Sequence, residues 1–411
     1  MSTKKVRLQD ICISISDGDH QAPPKSNSGV PFVTISNITN LNQIDFCDTM
    51  FVPRWYYEKI DSKRKAKAND ILYSVVGSFG IPVFIKNNKE FIFQRHIAIL
   101  RPNIKEIVPE YLYYVMLGRE FYMIADSVAV GAAQRTITLS SLRNIEIVIP
   151  EIVKQQRIVN ILSAYDDLIE NNQKQIKLLE EAAQRLYKEW FVDLRFPGYE
   201  KVEVVDGVPE GWNIRKLADL NHRLESGSRP KGGIDSNLKD GILSIGAENV
   251  IGLGKYNFST EKLISKEFYE NMNKGKLKDR DILIYKDGAY IGRTSLFQDD
   301  FPHREASVNE HVFLLHMDDE ALQYYIFLTL YSPEYYLKMQ NLNKNAAQPG
   351  INMKIFKTLD VLVPDEAIVV EFNDLVSPMI KSIFSKSKQI KILTEARDRL
   401  LPKLMSGEIE V

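Results

Sequence analysis

The sequence has only two cysteines in 411 residues, and it has no long apolar run. Cys12 and Cys47 are too few for a disulfide framework, which fits a reducing compartment. The longest apolar stretches, such as residues 324–331, are shorter than the ~20 residues that span a bilayer. The start of the chain contains no apolar segment of the secretory type. We therefore expect a cytoplasmic protein with no membrane segment.

The chain also lacks an excess of charge of either sign. Its formal net charge is −1, which counts against a general polycation that binds nucleic acid without regard to sequence. The charge is unevenly distributed, however. Residues 1–150 hold 18 Lys and Arg against 14 Asp and Glu, whereas residues 201–364 hold 21 against 23.

Motifs of catalysis are missing as well. There is no G-x-x-x-x-G-K-S/T loop for ATP and no Asn/Asp-Pro-Pro-Tyr/Phe motif, since residues 22–25 read APPK. No glycine-rich turn has the strand–turn–helix setting of an adenosylmethionine site. The Pro364-Asp365 pair is not followed by an acid-x-Lys sequence, so no nuclease core is visible. We predict no catalytic residues, no metal site and no cofactor on this chain.

The chain does contain an internal repeat. KQIKLLEEAAQRLY (174–187) and KQIKILTEARDRLL (388–401) share nine of fourteen positions at an offset of 214 residues. GAAQRTI and NAAQPGI (131–137 and 345–351) match at the same offset, and KRKAKANDILY and KGKLKDRDILI (63–73 and 274–284) match at 211. Gly18 matches Gly227 at 209. The chain is therefore predicted to be two copies of one unit.

Each unit is predicted to be an α+β segment followed by a long helix. Short β-branched runs separated by glycine-rich turns indicate strands, and residues 109–125 and 318–340 indicate short helices. We predict two similar recognition domains at 1–150 and 212–364, long helices at 151–194 and 365–411, and a connector at 195–211 that is rich in Pro and Gly.

Apolar residues in both helices recur at alternating spacings of four and three, which is typical of a coiled-coil seam. Asn172 and Lys386 are polar residues at matched positions of the two patterns, and they either fix the register of the paired helices or face solvent. Pro378 is expected to kink the second helix or to mark its start. The ten seam positions are Ile158, Leu162, Tyr165, Ile169, Asn172, Ile176, Leu179, Ala183, Leu186 and Trp190, matched by Phe372, Val376, Met379, Ile383, Lys386, Ile390, Leu393, Arg397, Leu400 and Leu404.

In this order, the motifs resemble the specificity (S) subunit of type I restriction–modification enzymes over the whole chain. They are GVPEGWNIRKLADL (207–220), NDILYS and RDILIY before glycine-containing loops, the two AAQ turns and the two heptad helices. The first helix opens with KQQRIVNIL (154–162) as in that family, but AIVVEFNDL (367–375) lacks the Gln-Gln.

The resemblance implies a non-catalytic subunit that recognises double-stranded DNA through two target-recognition domains. It implies that an antiparallel pair of helices spaces these domains, and that two modification (methyltransferase) subunits and restriction subunits are partners. S-adenosylmethionine, ATP and Mg²⁺ are then expected on the partner subunits. The helix exteriors should contact the modification subunits, with Gln155, Arg157, Glu180, Glu181, Arg185 and Lys188 as the candidate contacts.

Lysines that repeat in register before the two DIL strands suit phosphate contacts, which position a protein without reading sequence. The alternative is a solvated charge run before a buried strand. The candidates are Lys63, Lys65 and Lys67, with Arg64 among them, and Lys274, Lys276 and Lys278.

The loops after these strands are the candidate base readers, because they differ between the copies and carry side chains that pair with base edges. In the first copy they offer Ser74, Ser78 and Phe79, followed by Gln94, Arg95 and His96. In the second copy they offer Lys286, Asp287, Tyr290 and Arg293, followed by His303 and Arg304. Gln134 and Arg135 in the first AAQ segment and Gln348 in the second have either a turn role or a groove role.

Two other functions remain open at this point. A self-contained methyltransferase–nuclease would need the motifs that the chain lacks. A scaffold with two protein-binding heads on a coiled coil would have the same repeat but would show no selective DNA binding.

Overall fold

The computed structural model describes residues 3–39, 42–47, 49–77, 79–131, 134–235, 237–342 and 350–411. These residues form two α+β segments, called heads here, and each head is followed by a long helix. The predicted α+β class and the predicted repeat are both confirmed.

The first head precedes a helix that ends in a single π-helical turn. Its strands are β1 (Thr3–Arg7), β2 (Cys12–Asp17), β3 (Val30–Val33), β4 (Met50–Val52), β5 (Ile71–Ser74), β6 (Pro82–Phe84), β7 (Ile92–Phe93), β8 (Ile97–Pro102) and β9 (Glu146–Pro150). Its helices are α1 (Leu8–Ile11), α2 (Arg54–Lys59), α3 (Pro109–Leu117), α4 (Arg119–Ser127) and α5 (Leu139–Asn144), and the long helix is α6 (Ile152–Tyr187).

A short hairpin of β10 (Val204–Val205) and β11 (Val208–Pro209) leads into the second head. The strands of this head are β12 (Asn213–Lys216), β13 (His222–Ser226), β14 (Ile242–Ile245), β15 (Leu263–Ile264), β16 (Asp281–Tyr285), β17 (Thr294–Phe297), β18 (Ala306–Val308), β19 (Val312–Met317) and β20 (Asp360–Val363). Its helices are α7 (Lys266–Asn271), α8 (Glu320–Tyr331), α9 (Pro333–Asn341) and α10 (Met353–Phe356), and the long helix is α11 (Glu366–Ser406).

The two heads have the same sheet topology. A four-stranded sheet has the order β2-β8-β5-β6 in the first head and β13-β19-β16-β17 in the second. A three-stranded sheet has the order β4-β3-β7 or β15-β14-β18, and its last pairing is parallel in both heads. β1 pairs with β9, and β12 pairs with β20.

The central strand of each four-stranded sheet is buried on both faces. In β5, Ile71 and Tyr73 pack in the same core as residues of α3 and α4, whereas Leu72 packs with the three-stranded sheet. In β16, Ile282 and Leu283 divide between two cores in the same way. Each head therefore has helices, a four-stranded sheet and a three-stranded sheet in three layers, which explains why the DIL strands read as continuous apolar runs.

Each of the predicted short helices is broken into two. Gly118 separates α3 from α4 because its ψ of 144° is extended. Ser332 separates α8 from α9 with a ψ of 149°, since the proline that follows disfavours helical geometry in the residue before it. The break therefore recurs in both heads through different chemistry.

The chain forms two compact units, Met1–Asp167 with Thr394–Val411, and Leu168–Leu393. Each unit contains one head and segments of both long helices.

The heptad prediction is confirmed, because all twenty seam positions are buried or half-buried. In the second unit, the Asn172 side chain donates to Gln389 at 3.2 Å, and the rings of Trp190 and Phe372 lie 5.8 Å apart. Residue numbers therefore fall along α11 as they rise along α6, and the helices pair antiparallel. The polar partner of Asn172 is Gln389 rather than Lys386.

In the first unit, Arg397 occupies a seam position and is buried. Its Nη1 lies 2.6 Å from Oδ1 of Asp166. The other carboxylate oxygen, Oδ2, accepts a hydrogen bond from the Tyr114 hydroxyl at 2.7 Å. Pro378 is exposed within α11, so it does not mark the start of the second helix.

A buried aspartate begins the DIL strand in both heads. Asp70 accepts from Nε and Nη2 of Arg101 at 2.9 and 2.8 Å. Asp281 accepts from Nη2 of Arg223 at 2.8 and 2.7 Å, and His316 Nδ1 lies 2.8 Å away. Burial raises the pKa of Asp281, while the Lys278 backbone N–H and the Arg223 guanidinium act in the opposite direction. The aspartate of this motif therefore holds the head together.

We expect Asp281→Ala to lower the free energy of unfolding by about 3–5 kcal/mol, because it leaves the partly buried Arg223 without its carboxylate. Asp360→Ala is the matched control, since Asp360 is exposed and pairs with Lys216 at 3.5 Å. The control should cost at most about 1 kcal/mol. Urea unfolding of the purified chain measures both, and equal losses would contradict the structural role of Asp281.

Candidate nucleic-acid interface

The first head gathers several predicted site residues at one end of its four-stranded sheet. The Val75 N–H donates to the His96 carbonyl at 2.9 Å, and the Ile137 N–H donates to the Val75 carbonyl at 3.0 Å. The Gly77 N–H donates to the Arg135 carbonyl at 3.2 Å. We call residues 75–77, 79–80, 94–96 and 134–136 the first loop edge.

The second head has the same arrangement. The Lys286 N–H donates to the His311 carbonyl at 3.2 Å, and the Ile351 N–H donates to the Lys286 carbonyl at 2.8 Å. We call residues 286–293, 309–311 and 350–351 the second loop edge. Three segments remote in sequence therefore meet at the corresponding end of each head.

Two predicted readers of the first head have structural roles. Ser74 is buried, and its Oγ accepts from the Ile81 N–H at 2.9 Å, which closes the loop after β5. Phe79 is buried and stacks on Tyr122 with ring centroids 5.3 Å apart. Ser78 lies outside the described residues.

The other predicted readers of the first head are accessible to different degrees. Arg95 and Gln134 are exposed, and Gln94 and His96 are half-buried. Arg135 pairs with Asp126, with 2.6 Å between Nη2 and Oδ1.

In the second head, four predicted readers lie on the loop edge. Tyr290 is exposed, and the Arg293 guanidinium lies 3.6 Å from the centre of its ring. Asp287 Oδ2 lies 3.2 Å from His311 Nδ1, and the Lys286 ammonium lies 3.6 Å from the same carboxylate oxygen. Gln348 lies outside the described residues.

His303 and Arg304 lie away from the second loop edge, in the connection between β17 and β18. β17 begins opposite Ile284 and ends opposite Asp281, so this connection leaves from the other end of the sheet. His303 Nε2 lies 2.6 Å from Glu261, and Arg304 is exposed.

The structural counterpart of Gln94, Arg95 and His96 is the turn of Asn309, Glu310 and His311. Each turn connects the three-stranded sheet to the four-stranded sheet of its head, from β7 to β8 in the first head and from β18 to β19 in the second. None of these three residues of the second turn is among the predicted readers. The signal that could have found it is a histidine directly before the strand in QRHI and NEHV (94–97 and 309–312).

The middle lysine of each repeated trio packs on its own head. Lys65 Nζ lies 4.6 Å from the centre of the Tyr57 ring, and Lys276 Nζ lies 5.0 Å from that of Tyr269. Each ammonium also donates to a carbonyl in that helical segment, at 3.3 and 3.0 Å. These two lysines therefore support the fold in both heads.

The outer lysines of the trios are exposed. Lys63 lies beside β2, where the Ser16 hydroxyl donates to its carbonyl at 2.9 Å. Arg64 is half-buried and pairs with Asp17 at the end of β2, at 3.4 Å. Lys67 and Lys278 donate through their backbone N–H groups to the buried aspartates, at 2.8 and 2.7 Å, and so lie toward the other end of the central strand.

The candidate partner contacts on α6 also differ in accessibility. Gln155 is buried, where its amide accepts from the Val108 N–H at 2.9 Å and donates to the Pro150 carbonyl at 2.8 Å. Glu180 accepts from the Tyr331 hydroxyl and pairs with Lys255 at 3.1 Å. Gln155 therefore contacts the first head, and Glu180 contacts the second.

The remaining candidates on this helix are more accessible. Arg157 and Arg185 are exposed, and Arg185 lies 3.7 Å from the half-buried Glu181. Lys188 is also exposed and lies 2.6 Å from Asp193.

Within the described residues, no three His, Cys, Asp or Glu side chains are grouped so that they could hold a metal ion. In the same part of the chain, no helix has the length and apolar character needed to cross a membrane.

Residues 2–181 and 209–392 match the family described as the type I restriction modification DNA specificity domain. The chain belongs to this family. Two matches of the family, one for each head and its helix, agree with the repeated architecture. The chain is thus a specificity subunit, whose part in the system is recognition and not catalysis.

Known relatives agree with this assignment. The chain is 30% identical to the type I restriction enzyme MjaIX specificity subunit of Methanocaldococcus jannaschii, over 74% of this chain and 70% of that one. It is 25% identical to the HindI specificity subunit of Haemophilus influenzae over 99% of both chains. The solved S subunit from M. genitalium has the same fold, with a TM-score of 0.58 at 16% identity, over 98% of this chain and 96% of that one.

We expect the first lysine of each trio to contact phosphates and the middle lysine not to. Lys63→Ala combined with Lys274→Ala should weaken binding to any duplex and flatten the plot of log affinity against log salt by about 0.9 per lost contact. Lys65→Ala combined with Lys276→Ala is the matched control and should leave the slope unchanged. Titrations of the assembled complex at several salt concentrations measure both slopes, and a control that flattens as much as the test pair refutes the distinction.

Proposed function

We propose that this chain recognises an asymmetric, bipartite DNA target, with one half-site for each head, and directs adenine methylation or cleavage by partner subunits. The observation that carries the proposal is a common scaffold with different loop edges. The heads share every pairing within their four-stranded and three-stranded sheets. Arg95 in one turn is replaced by Glu310 in the other, which reverses the charge.

Such a difference is expected where the two heads read different bases. Arginine donates to the O6 and N7 of guanine, whereas a carboxylate accepts from the N4 amino group of cytosine. A protein whose two heads read the same sequence would have no use for opposite charges at one position. The methyl donor, ATP and Mg²⁺ would be bound by the partner subunits, since this chain lacks the motifs for them.

Mapping of methylated adenines in the host genome, with and without this gene, tests the proposal. We expect one bipartite, non-palindromic motif to be methylated only when the gene is present. Re-expression of the gene in the deletion strain is the control, and it should restore the same motif. Methylation that is unchanged by the deletion would refute the function.

We also propose that two copies of one modification subunit dock on mostly exposed helix positions that recur in the repeat. Lys174, Leu178, Glu181 and Arg185 follow one face of α6 at helical spacing, and the matched positions of α11 are Lys388, Ile392, Glu395 and Arg399.

These positions agree in residue type although six of the eight are exposed. Leu178 and Ile392 are each 64% exposed, which is costly for apolar side chains without a partner. Three of the four seam positions in the same stretch also agree, with Ala183 against Arg397 as the exception, but the seam has a partner within the chain that accounts for its agreement. An outside partner that binds both copies explains the agreement.

We expect Leu178→Glu and Ile392→Glu each to release one modification subunit from the purified complex, and the double variant to release both. A carboxylate buried in an apolar contact carries a large desolvation cost. Leu337→Glu is the matched control, because Leu337 is 58% exposed on a head. Mass photometry gives the stoichiometry, and a double variant that retains both subunits would contradict this docking surface.

A further inference from the structure

The turn of residues 94–96 is held rigidly on the first loop edge. The Gln94 N–H donates to the Val33 carbonyl at 3.1 Å, and the Arg95 N–H donates to the Asp19 carbonyl at 2.9 Å. Gly18 lies so close that a Cβ there would be 2.2 Å from the Phe93 carbonyl oxygen. The backbone of Arg95 therefore has a fixed position, and its side chain is exposed.

The matched turn in the second head shares one of these backbone hydrogen bonds and the close glycine. The Asn309 N–H donates to the Ile245 carbonyl at 3.0 Å. A Cβ on Gly227 would lie 1.6 Å from the Val308 carbonyl oxygen, so only glycine fits there. Asp19 and His20 of the first head correspond to Ser228 and Arg229 of the second at the same offset as the two glycines.

The second turn has the carboxylate of Glu310 where the first has the guanidinium of Arg95, and Arg229 lies next to this carboxylate. Arg229 Nε lies 2.8 Å from Glu310 Oε1. His311 Nε2 lies 3.5 Å from the same oxygen, and its Nδ1 is held by Asp287 at 3.2 Å. The Arg229 side chain is nevertheless 62% exposed. Glu310 therefore orients Arg229 without covering it.

This arrangement leaves the terminal nitrogens of Arg229 available. The ion pair with Glu310 is closest at Nε, and the two Nη groups form a planar pair of donors on the exposed side chain. A planar pair of donors matches the O6 and N7 acceptors of guanine in the major groove. Each head thus presents one exposed arginine at this turn. In the first head Arg95 belongs to the turn itself, and in the second head Arg229 lies on the segment beside the turn.

We propose that Arg95 and Arg229 each read a guanine, one in each half-site, and that Glu310 is a positioning residue for Arg229. The inference rests on the proposed function, since it assumes that each loop edge faces one half-site. Arg229 is not among the residues predicted from the sequence to contact DNA.

The test uses the native complex, purified from its host through a tag on this chain and incubated with a library of randomised duplexes. Arg95→Ala should reduce discrimination at one guanine of the first half-site by roughly 5- to 150-fold and leave the second half-site unchanged. Arg229→Ala should do the reverse. Glu310→Gln should weaken discrimination at the same base as Arg229→Ala, but to a smaller extent. The half-site of the unaltered head reports on folding in every variant.

Lysine replacements separate base reading from phosphate contact. Arg95→Lys and Arg229→Lys keep the charge and lose the forked pair of donors. Each should therefore reduce the preference for guanine at its position as the alanine variant does. Arg304→Ala is the matched control, because Arg304 is exposed in the second head but lies away from its loop edge, and it should change no base preference.

The outcomes separate this inference from the proposed function. A wild-type complex without any bipartite preference would overturn the proposed function itself. A wild-type complex with a clear motif whose bases are unchanged in both arginine-to-alanine variants would overturn this inference alone. Lysine variants that keep full guanine preference, together with alanine variants that bind all sequences more weakly, would assign the two arginines to phosphates and would also overturn it.

Discussion

The architecture depends on a short central strand that is buried on both faces. β5 and β16 each separate a helical layer from a three-stranded sheet, so nearly every side chain along them must be apolar. A strand of this kind has no exposed face to set its position, and the buried aspartate at its start supplies the polar anchor. Asp70 and Asp281 each bind a cation and a backbone N–H, which fixes where the strand begins and hence where the following loop emerges.

The loop edges are a consequence of this anchoring. Once the strand is fixed, its carboxyl end meets the turn before β8 or β19 and the segment after the AAQ sequence through backbone hydrogen bonds. Backbone contacts do not depend on side-chain identity, so the side chains at this end are free to differ between heads. Both heads therefore share the backbone position of the turn, whereas the charge of its side chains can differ between them. Arg95 and Glu310 occupy the same position in that turn with opposite charge.

The long helices show the same separation between inner and outer positions. In the first unit their seam accommodates the buried Arg397, because Asp166 of the opposite helix supplies its partner. A buried pair of this kind adds little net stability but disfavours other registers, because any shift would leave a charge unpaired. In the second unit the uncharged pair of Asn172 and Gln389 has the corresponding role.

The sequence by itself determined the repeat, the α+β class, the coiled-coil seam and the family, because each rests on periodicity or on local motifs that need no knowledge of distant contacts. All twenty seam positions were correctly placed for this reason. Only the tertiary structure decided the roles of individual side chains. The three lysines of each trio look equivalent in sequence but differ in their contacts, because the middle one packs on Tyr57 in the first head and on Tyr269 in the second. His303 and Arg304 resemble a match for the first turn, yet the strand direction sends them to the other end of the sheet. Arg229 carries no local signal, since its significance comes from Glu310, which lies far along the chain and is brought next to it by the sheet.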